Sequence, residues 1–464
     1  MREHRNAGGM TDDTDGRSHV ERYRDRTETS RRHHETALEY LPGGNTREAL
    51  HYSPYPAYLE DGDGAVVTDV DGNEYLDFLN NYTSLIHGHA PTGIVEAATD
   101  AVRRGSAPGG PTTDEIELAR HLVDRAPALE LIRFTNSGTE ATMNAIRAAR
   151  AYTGNDIVAK FEGAYHGTHD DAQVSIHPPA HLSGPADDPT SVPDSAGVPD
   201  SKREEVLSLP FNDADATVEK LERHRDELAC VLLAPYMGSA VVPPEPDFLE
   251  TLADWTDRTD VPLIFDEVIS LRVAYGGAHA TLDVEPDLIT YGKIVGGGFP
   301  VGAFGGREEL LDPYDPRGGA SVVHSGTFNA NPVTASAGLA ALEAFDEAAV
   351  ERLDGLADTL ASASRDVIAD RGLSIQFNRA GSLFTLYLSP DPVRTYRDKP
   401  HRKALERRLF HELQSEGVRL APKLMGCLST PMDEAEVDQF VAALDTALGR
   451  LAPTIAARAP EMVD

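Results

Sequence analysis

The 464-residue chain carries 42 Lys+Arg against 76 Asp+Glu, a formal net charge of −34, and 40% of its residues are apolar. That composition is globular, the length suffices for two or three domains around a large core, and the charge argues against nucleic acid or an anionic membrane as partner, since both would repel it. There is no run of about 18 apolar residues for a spanning helix, the polar N-terminus lacks the apolar core of a secretory signal, and the two cysteines, Cys230 and Cys427, make no disulfide framework. A cytoplasmic protein is expected. The basic residues are lopsided, 7 Lys against 35 Arg. Scarce lysine beside abundant Asp suits work in high salt, where screening blunts self-repulsion, and equally suits an acidic protein from a GC-rich genome.

Residues 1–17 are polar and are expected to be disordered. A charged helix is predicted over 18–40, stopped by Pro42-Gly43-Gly44. Strands at 65–69 and 75–78 follow, joined by the turn signal Val70-Asp71-Gly72-Asn73, so that 18–85 reads as an arm belonging with a small domain. Over 86–345, helical patterns (94–104, 114–125, 139–152) alternate with short apolar strands (131–135, 157–161, 230–234, 263–266, 288–291). This is the pattern of an α/β domain whose mostly parallel sheet is covered on both faces. The stretch 177–205, rich in Pro, Asp, Ser and Gly, shows no periodicity and reads as a functional lid or a disordered insert. Beyond Phe345, a helix at 348–371, strands at 373–377 and 383–388, and helices at 401–416 and 433–451 predict a small α+β domain over 346–464.

Open α/β sheets bind ligands at the carboxyl ends of their strands, and the chemistry-bearing residues fall there. Strand 131–135 runs into Asn136-Ser137-Gly138-Thr139-Glu140 and a helix. Hydroxyls and free backbone N–H groups at a helix N-terminus make an anion site as readily as an ordinary cap. Strand 263–266 ends in Asp266-Glu267-Val268. An acid directly behind an apolar strand is costly to bury without a cation or donor; it can hold a protonated ring nitrogen, cap a helix or join an ion pair.

Strand 288–291 leads into Gly292-Lys293 and then Gly296-Gly297-Gly298. A desolvated lysine amine is nucleophilic and condenses with aldehydes, although a single lysine beside a flexible loop is more often merely exposed. The stretch is not a triphosphate-binding loop, because Ile294 stands where Ser or Thr would hold magnesium, and it is not a Rossmann fingerprint. Phe161-Glu162-Gly163-Ala164-Tyr165-His166-Gly167 offers an aromatic face and an imidazole that either cover a flat ring or simply pack, and His324-Ser325-Gly326-Thr327-Phe328-Asn329 adds hydroxyls. Together these are the parts needed to hold pyridoxal phosphate, with no metal called for.

Four blocks, NSGTEATMNAIRAA (136–149), Asp266-Glu267-Val268, YGKIVGGGFPVGAFGG (291–306) and HSGTFNANP (324–332), resemble in order and spacing the class III aminotransferases of fold type I, and the likeness runs over about residues 40–448. The resemblance implies pyridoxal 5′-phosphate joined to Lys293, which then serves as general base and acid. It implies Asp266 on the pyridinium nitrogen, Val268 behind the ring, Tyr165 stacked in front with His166 beside it, and Ser137, Gly138 and Thr139 on the phosphate. Thr327 would reach the phosphate of the other subunit, in a homodimer with shared active sites.

Two sub-families compete. LPGGNTREAL (41–50) and YSPYP (52–56) resemble the β-amino-acid aminotransferases, which implies Arg47 as a bidentate clamp on the substrate carboxylate, with Tyr82 and Lys423 as further substrate-side residues. The spacing from Asp266 to Arg272 follows the same enzymes. PDSAGVP (193–199) and PFND (210–213) instead resemble the gating loop of glutamate-1-semialdehyde 2,1-aminomutases. Two positions depart from both patterns. Ala234-Pro235-Tyr236 replaces Glu-Pro-Val, and Lys423 stands where the β-amino-acid enzymes have an arginine, keeping the charge but not the planar fork. The expected activity is a transaminase moving an amino group from a β- or ω-amino acid to a 2-oxo acid. The alternative is the aminomutase, which makes 5-aminolevulinate without an external acceptor.

Overall fold

The computed structural model describes residues 18–237, 241–319, 321–400 and 402–463. The disordered tail expected over 1–17 lies outside the described residues. Seven strands, Leu131–Thr135, Ile157–Phe161, Val206–Leu209, Leu228–Leu233, Leu263–Asp266, Leu288–Gly292 and Gly302–Gly306, form one sheet. Across it the order is 131–135, 302–306, 288–292, 263–266, 228–233, 157–161, 206–209. From 288–292 to 206–209 neighbouring strands run parallel, while 302–306 is antiparallel to both of its neighbours. The fold is therefore α/β with a mostly parallel sheet, the architecture of fold-type I transferases.

The central strand Leu228–Leu233 is buried at every residue, as a parallel strand covered on both faces must be. Its side chains alternate in direction. Cys230 and Leu232 join Ile146 and Ala149 of helix Gly138–Thr153 on one face, and Val231 and Leu233 join Phe248, Leu252 and Trp255 of helix Pro246–Thr259 on the other. Strand Gly302–Gly306 has no such alternation to betray it in the sequence. Its glycines are there for close approach: a Cβ on Gly302 would sit 2.0 Å from the Ser137 carbonyl oxygen, and one on Gly305 would sit 2.3 Å from that of Leu131.

Two smaller sheets flank this one, 59–63/66–69/74–77/418–419 and 376–380/383–387/425–427. Val418–Arg419 pairs in parallel with Glu74–Asp77, and the Cys427 amide donates to the Phe78 carbonyl at 2.7 Å, so the N-terminal arm is joined to the C-terminal part by backbone bonds. The helix expected over 18–40 is two helices, His19–Arg26 and Glu28–Ala37. They break at Thr27, whose hydroxyl donates back to the Tyr23 carbonyl at 2.6 Å. The strand expected at 373–377 is Gln376–Ala380, and the last helix runs on to Arg458 with Pro453 inside it. That helix, Glu434–Arg458, is long and apolar enough by composition to cross a membrane. It nevertheless packs on helices Glu347–Asp370 and Lys403–Ser415, with Phe440, Leu444, Leu448 and Leu451 fully buried.

The segment 177–205 follows a defined path. The Asp194 carboxylate accepts from the amides of Ile176 and His177 at 2.6 Å each, the fully buried Lys160 donates to the Val174 carbonyl at 2.6 Å, and a short helix, Lys202–Glu205, returns the chain to the sheet.

Candidate active site

The sheet delivers its polar residues to one end. Asp266 and Thr290 are register partners on adjacent parallel strands, and Lys293 follows three residues after Thr290. Asp266 is 7% exposed and fully engaged. Its Oδ1 accepts from the Val268 amide and the Thr290 hydroxyl, both at 3.1 Å, and its Oδ2 lies 2.8 Å from Nδ1 of His166. Burial holds His166 below its ordinary value, against the pull of Asp266, so the imidazole is neutral and donates through Nδ1–H. Its Nε2 is buried without a partner among the described residues.

Lys293 opens a 3₁₀ turn with φ +50°, a left-handed conformation that costs a non-glycine residue about 1–2 kcal/mol. Its amine makes no hydrogen bond among the described residues. Burial pushes it down to about 8; Asp266 pulls it up and Arg272 pushes it further down. Near neutral pH a useful fraction of this lysine is an unprotonated nucleophile.

The turn before helix Gly138–Thr153 carries the anion site. Ser137 is the N-cap, its hydroxyl accepting from the Glu140 amide at 3.2 Å, and the Thr139 hydroxyl accepts from the Thr168 amide at 3.3 Å. A Cβ on Gly138 would come within 3.0 Å of a Val268 methyl, so glycine there leaves the space between the turn and Val268 open. Tyr165 is 48% exposed, near Asp266, and stacks on no other ring among the described residues. An unpartnered amine, a buried acid flanked by an orphan imidazole nitrogen, an apolar wall at Val268 and a helix N-terminus fit pyridoxal phosphate: aldehyde, ring nitrogen, ring face and phosphate each meet the group they require.

Of the expected substrate-side residues, Arg47 and Tyr82 lie on the arm and Lys423 in the C-terminal part. Arg47 Nη1 donates to Asn81 Oδ1 at 2.7 Å, and the Tyr82 hydroxyl donates to the Ala49 carbonyl. Among the described residues no carboxylate lies within 4 Å of the Arg47 guanidinium. Lys423 Nζ lies 3.0 Å from Nε2 of His177, a histidine that burial and Lys423 push down to about 4. The lysine thus points at the 177–205 segment, with Glu48 among its charged neighbours. Tyr236 packs with Leu79, Ala421 and Ile269. Thr327 stands apart from these groups. It is exposed on a loop tied to the turn before helix Gly138–Thr153 by the Asn136 side chain, whose Nδ2 donates to Asn329 Oδ1 at 2.7 Å.

Sequence reasoning left out Asn81, His177 and Arg397, and noted Arg272 only for its spacing from Asp266. Arg272 is buried, and its guanidinium donates to Ser382 Oγ at 3.0 Å, to the Thr83 carbonyl at 3.1 Å and to the Leu428 carbonyl. Arg397 binds Glu162 and two carbonyls of the 177–205 segment. Their partners lie as many as 246 residues away, and no local pattern announces them.

The Aminotransferase class-III family model matches residues 49–432. A glutamate-1-semialdehyde 2,1-aminomutase of Methanothermobacter thermautotrophicus is 40% identical over 420 residues, covering 89% of this chain and 97% of that protein. Among solved structures, an omega-transaminase from Sphaerobacter thermophilus is 45% identical with a TM-score of 0.90, covering 93% of this chain and 99% of the other. A beta-phenylalanine aminotransferase from Variovorax paradoxus is 34% identical with a TM-score of 0.83, covering 95% and 97%.

Proposed function

Because this chain belongs to the class III aminotransferases and uses pyridoxal phosphate, we propose that it moves the amino group of a compound whose carboxylate lies away from the reacting carbon. Lys293 is the proton carrier and Arg47 the carboxylate anchor. The observation that carries this reading is Arg47 itself: a guanidinium with no carboxylate partner among the described residues, in a chain of 76 acidic residues. A relay of contacts links it to the neighbourhood of Lys293. Arg47 meets Asn81, the turn holding Asn81 is bonded to Arg272, and Arg272 is one of the charges acting on Lys293.

When bound, the cofactor supplies an aldehyde to capture the amine and a pyridine ring to take up electrons. The chain's own groups do the rest. Asp266, held in place by the Val268 amide, the Thr290 hydroxyl and His166, is the acid that would meet the ring nitrogen. Val268 and Tyr165 confine the ring, and Ser137, Gly138 and Thr139 hold the phosphate at the helix N-terminus. The Lys293 amine, kept partly neutral by burial, would move a proton between the substrate carbon and the cofactor C4′ carbon. Arg47 binds the carboxylate through its planar fork and fixes which carbon faces Lys293. Residues 86–345 serve as the cofactor-binding domain, with 18–85 and 346–464 forming the small one.

Within this class eight curated relatives at 35–41% identity, each named as a glutamate-1-semialdehyde 2,1-aminomutase, favour the aminomutase over the intermolecular transaminase. The pinned segment 177–205 suits a reaction whose intermediate must not escape. The transaminase reading, on a β- or ω-amino acid with a 2-oxo acid as acceptor, is supported by the Arg47 loop and by the 45% identity to an omega-transaminase. One assay decides between them. Holoenzyme that makes 5-aminolevulinate from glutamate-1-semialdehyde without any 2-oxo acid, and ignores β-amino acids, is the aminomutase; the opposite pattern is the transaminase. Activity on neither sinks the proposal.

The working unit is a homodimer. Val95, Val102, Phe299, Val323 and Phe328 are exposed apolar side chains, and an apolar cleft of about 450 Å³ lies between 84–103 and 297–299, surface that a second copy would cover. Thr327, exposed beside Phe328, would then face the partner's phosphate. A cytoplasmic, salt-adapted enzyme agrees with the charge, and a melting temperature that rises with KCl concentration checks the salt part.

A further inference from the structure

Residues Asn80, Asn81, Tyr82 and Thr83 have φ values of +46°, +49°, +55° and +74°. Four consecutive non-glycine residues thus form a left-handed turn. Asparagine tolerates this conformation because its amide can bond locally to the backbone, but tyrosine and threonine have no such excuse. The turn therefore has to be held from outside, and the structure shows how. Asp77 Oδ1 accepts from the amides of Leu79 and Asn80 at 3.0 and 3.2 Å. The Asn80 side chain donates to the Asp77 and Cys427 carbonyls at 2.8 and 3.2 Å. At the far end Arg272, a buried cation with no carboxylate partner among the described residues, donates to the Thr83 carbonyl at 3.1 Å. The Tyr82 hydroxyl ties the turn to the arm at Ala49.

So many constraints on an unfavourable backbone point to a positional task. What the turn delivers is the Asn81 amide oxygen, 2.7 Å from Nη1 of Arg47. We infer that Asn81 is the positioning residue that aims Arg47 at a substrate carboxylate. The chemistry of the side chain matters. A neutral amide oxygen occupies one N–H of the guanidinium and fixes its plane without cancelling its charge, and the donors on its other edge stay open for a two-point carboxylate contact. An aspartate at 81 would be an ion-pair partner in its own right and would compete with substrate. The inference rests on the reading of Arg47 as the carboxylate anchor.

The test uses holoenzyme and four non-reacting ligands, pentanoate and 3-phenylpropanoate against the matching alcohols, with Kd read by calorimetry. The variants are Arg47→Ala, Asn81→Asp and Asn81→Gly; the last keeps the left-handed backbone without strain, and all are compared at matched melting temperature. Loss of Arg47 should erase the preference for the acid over its alcohol. Asn81→Asp should cut that preference at least tenfold and Asn81→Gly three- to tenfold, with alcohol binding unchanged; a merely structural role would weaken acid and alcohol alike. If Arg47→Ala erases the preference and neither Asn81 variant moves it, or only Asn81→Asp does, the orienting role is overturned while the anchor stands. If Arg47→Ala leaves the preference intact, the anchor reading fails and the inference falls with it.

Discussion

Arg397 and Glu162 are joined by two parallel N–H···O bonds of 2.7 and 3.0 Å, and the same guanidinium donates to the carbonyls of Ser183 and Gly184 at 2.9 and 2.8 Å. One side chain from the loop beyond strand Leu383–Tyr387 thus latches the end of strand Ile157–Phe161 to the 177–205 segment. The Tyr396 ring packs against Gly163, where a Cβ would come within 2.5 Å, so the latch stands two residues from Tyr165. The Glu162 side chain is 5% exposed, and removing its partner strands a buried charge. Arg397→Ala should destabilise the protein by about 2–4 kcal/mol and open 177–205 to proteolysis, read by thermal unfolding and by mapping the first cleavage sites. Arg397→Lys should recover less than half, because an ammonium cannot make the fork.

His166 and Asp266 give a second expectation. With its imidazole removed, the acid loses one of its three hydrogen-bond partners and is held less firmly toward the ring nitrogen. His166→Phe should slow the amine half-reaction by about tenfold, and Asp266→Asn by about 10²-fold or more, with the cofactor still bound. Stopped-flow spectra of the bound cofactor report both rates. Equal rates in wild type and His166→Phe would remove the histidine from the account.

Lys293 links function to stability through pH. Burial pushes its amine down to about 8 in the fold from an ordinary value of 10.5, so between these values the unfolded chain binds more protons and stability rises with pH. Below pH 8 the cost of burying the amine is present in full. Apo Lys293→Met should therefore be more stable than the apo wild type at pH 7 by about 2–3 kcal/mol, the gain shrinking as pH climbs from 8 toward 10.5. Denaturant titrations at pH 7 and pH 10 check the sign. The same variant should lose at least about 10²–10⁴-fold in activity, because no other amine takes the proton.

Phe328 tests the assembly. It is 58% exposed, and Val323, five residues earlier, is 83% exposed, a large apolar display for a lone chain. Phe328→Asp should convert a dimer into monomers that bind the cofactor more weakly. Light scattering gives the mass, and cofactor absorbance after gel filtration gives the retention. A wild-type monomer that turns over at full rate would defeat both the dimer and the role of Thr327.

Much of the cofactor site was legible in the chain because its residues sit at strand ends. Asp266 follows an unbroken apolar strand, Lys293 follows the next, and Ser137-Gly138-Thr139 opens a helix after a third. Parallel pairing with short connections brings such ends to one edge, so local pattern alone predicts that they meet. The fold class followed from the same alternation. Strand Gly302–Gly306 was not legible, since five residues with one large side chain carry no period. The break at Thr27 was hidden too, because it depends on a hydroxyl bonding back along the helix.

By itself, then, the sequence determined the α/β layering and the strand-end positions of Lys293, Asp266 and the Ser137-Gly138-Thr139 turn, all of which arise from neighbours in the chain. Only the tertiary structure decided how the substrate edge is built. It sets Asn81 left-handed against Arg47, places Arg272 under Thr83, puts His177 beside Lys423 and closes Arg397 on Glu162. These pairs are 34, 189, 246 and 235 residues apart, and a contact across such distances is chosen by packing and hydrogen-bond satisfaction, which leave no period or motif along the chain to read.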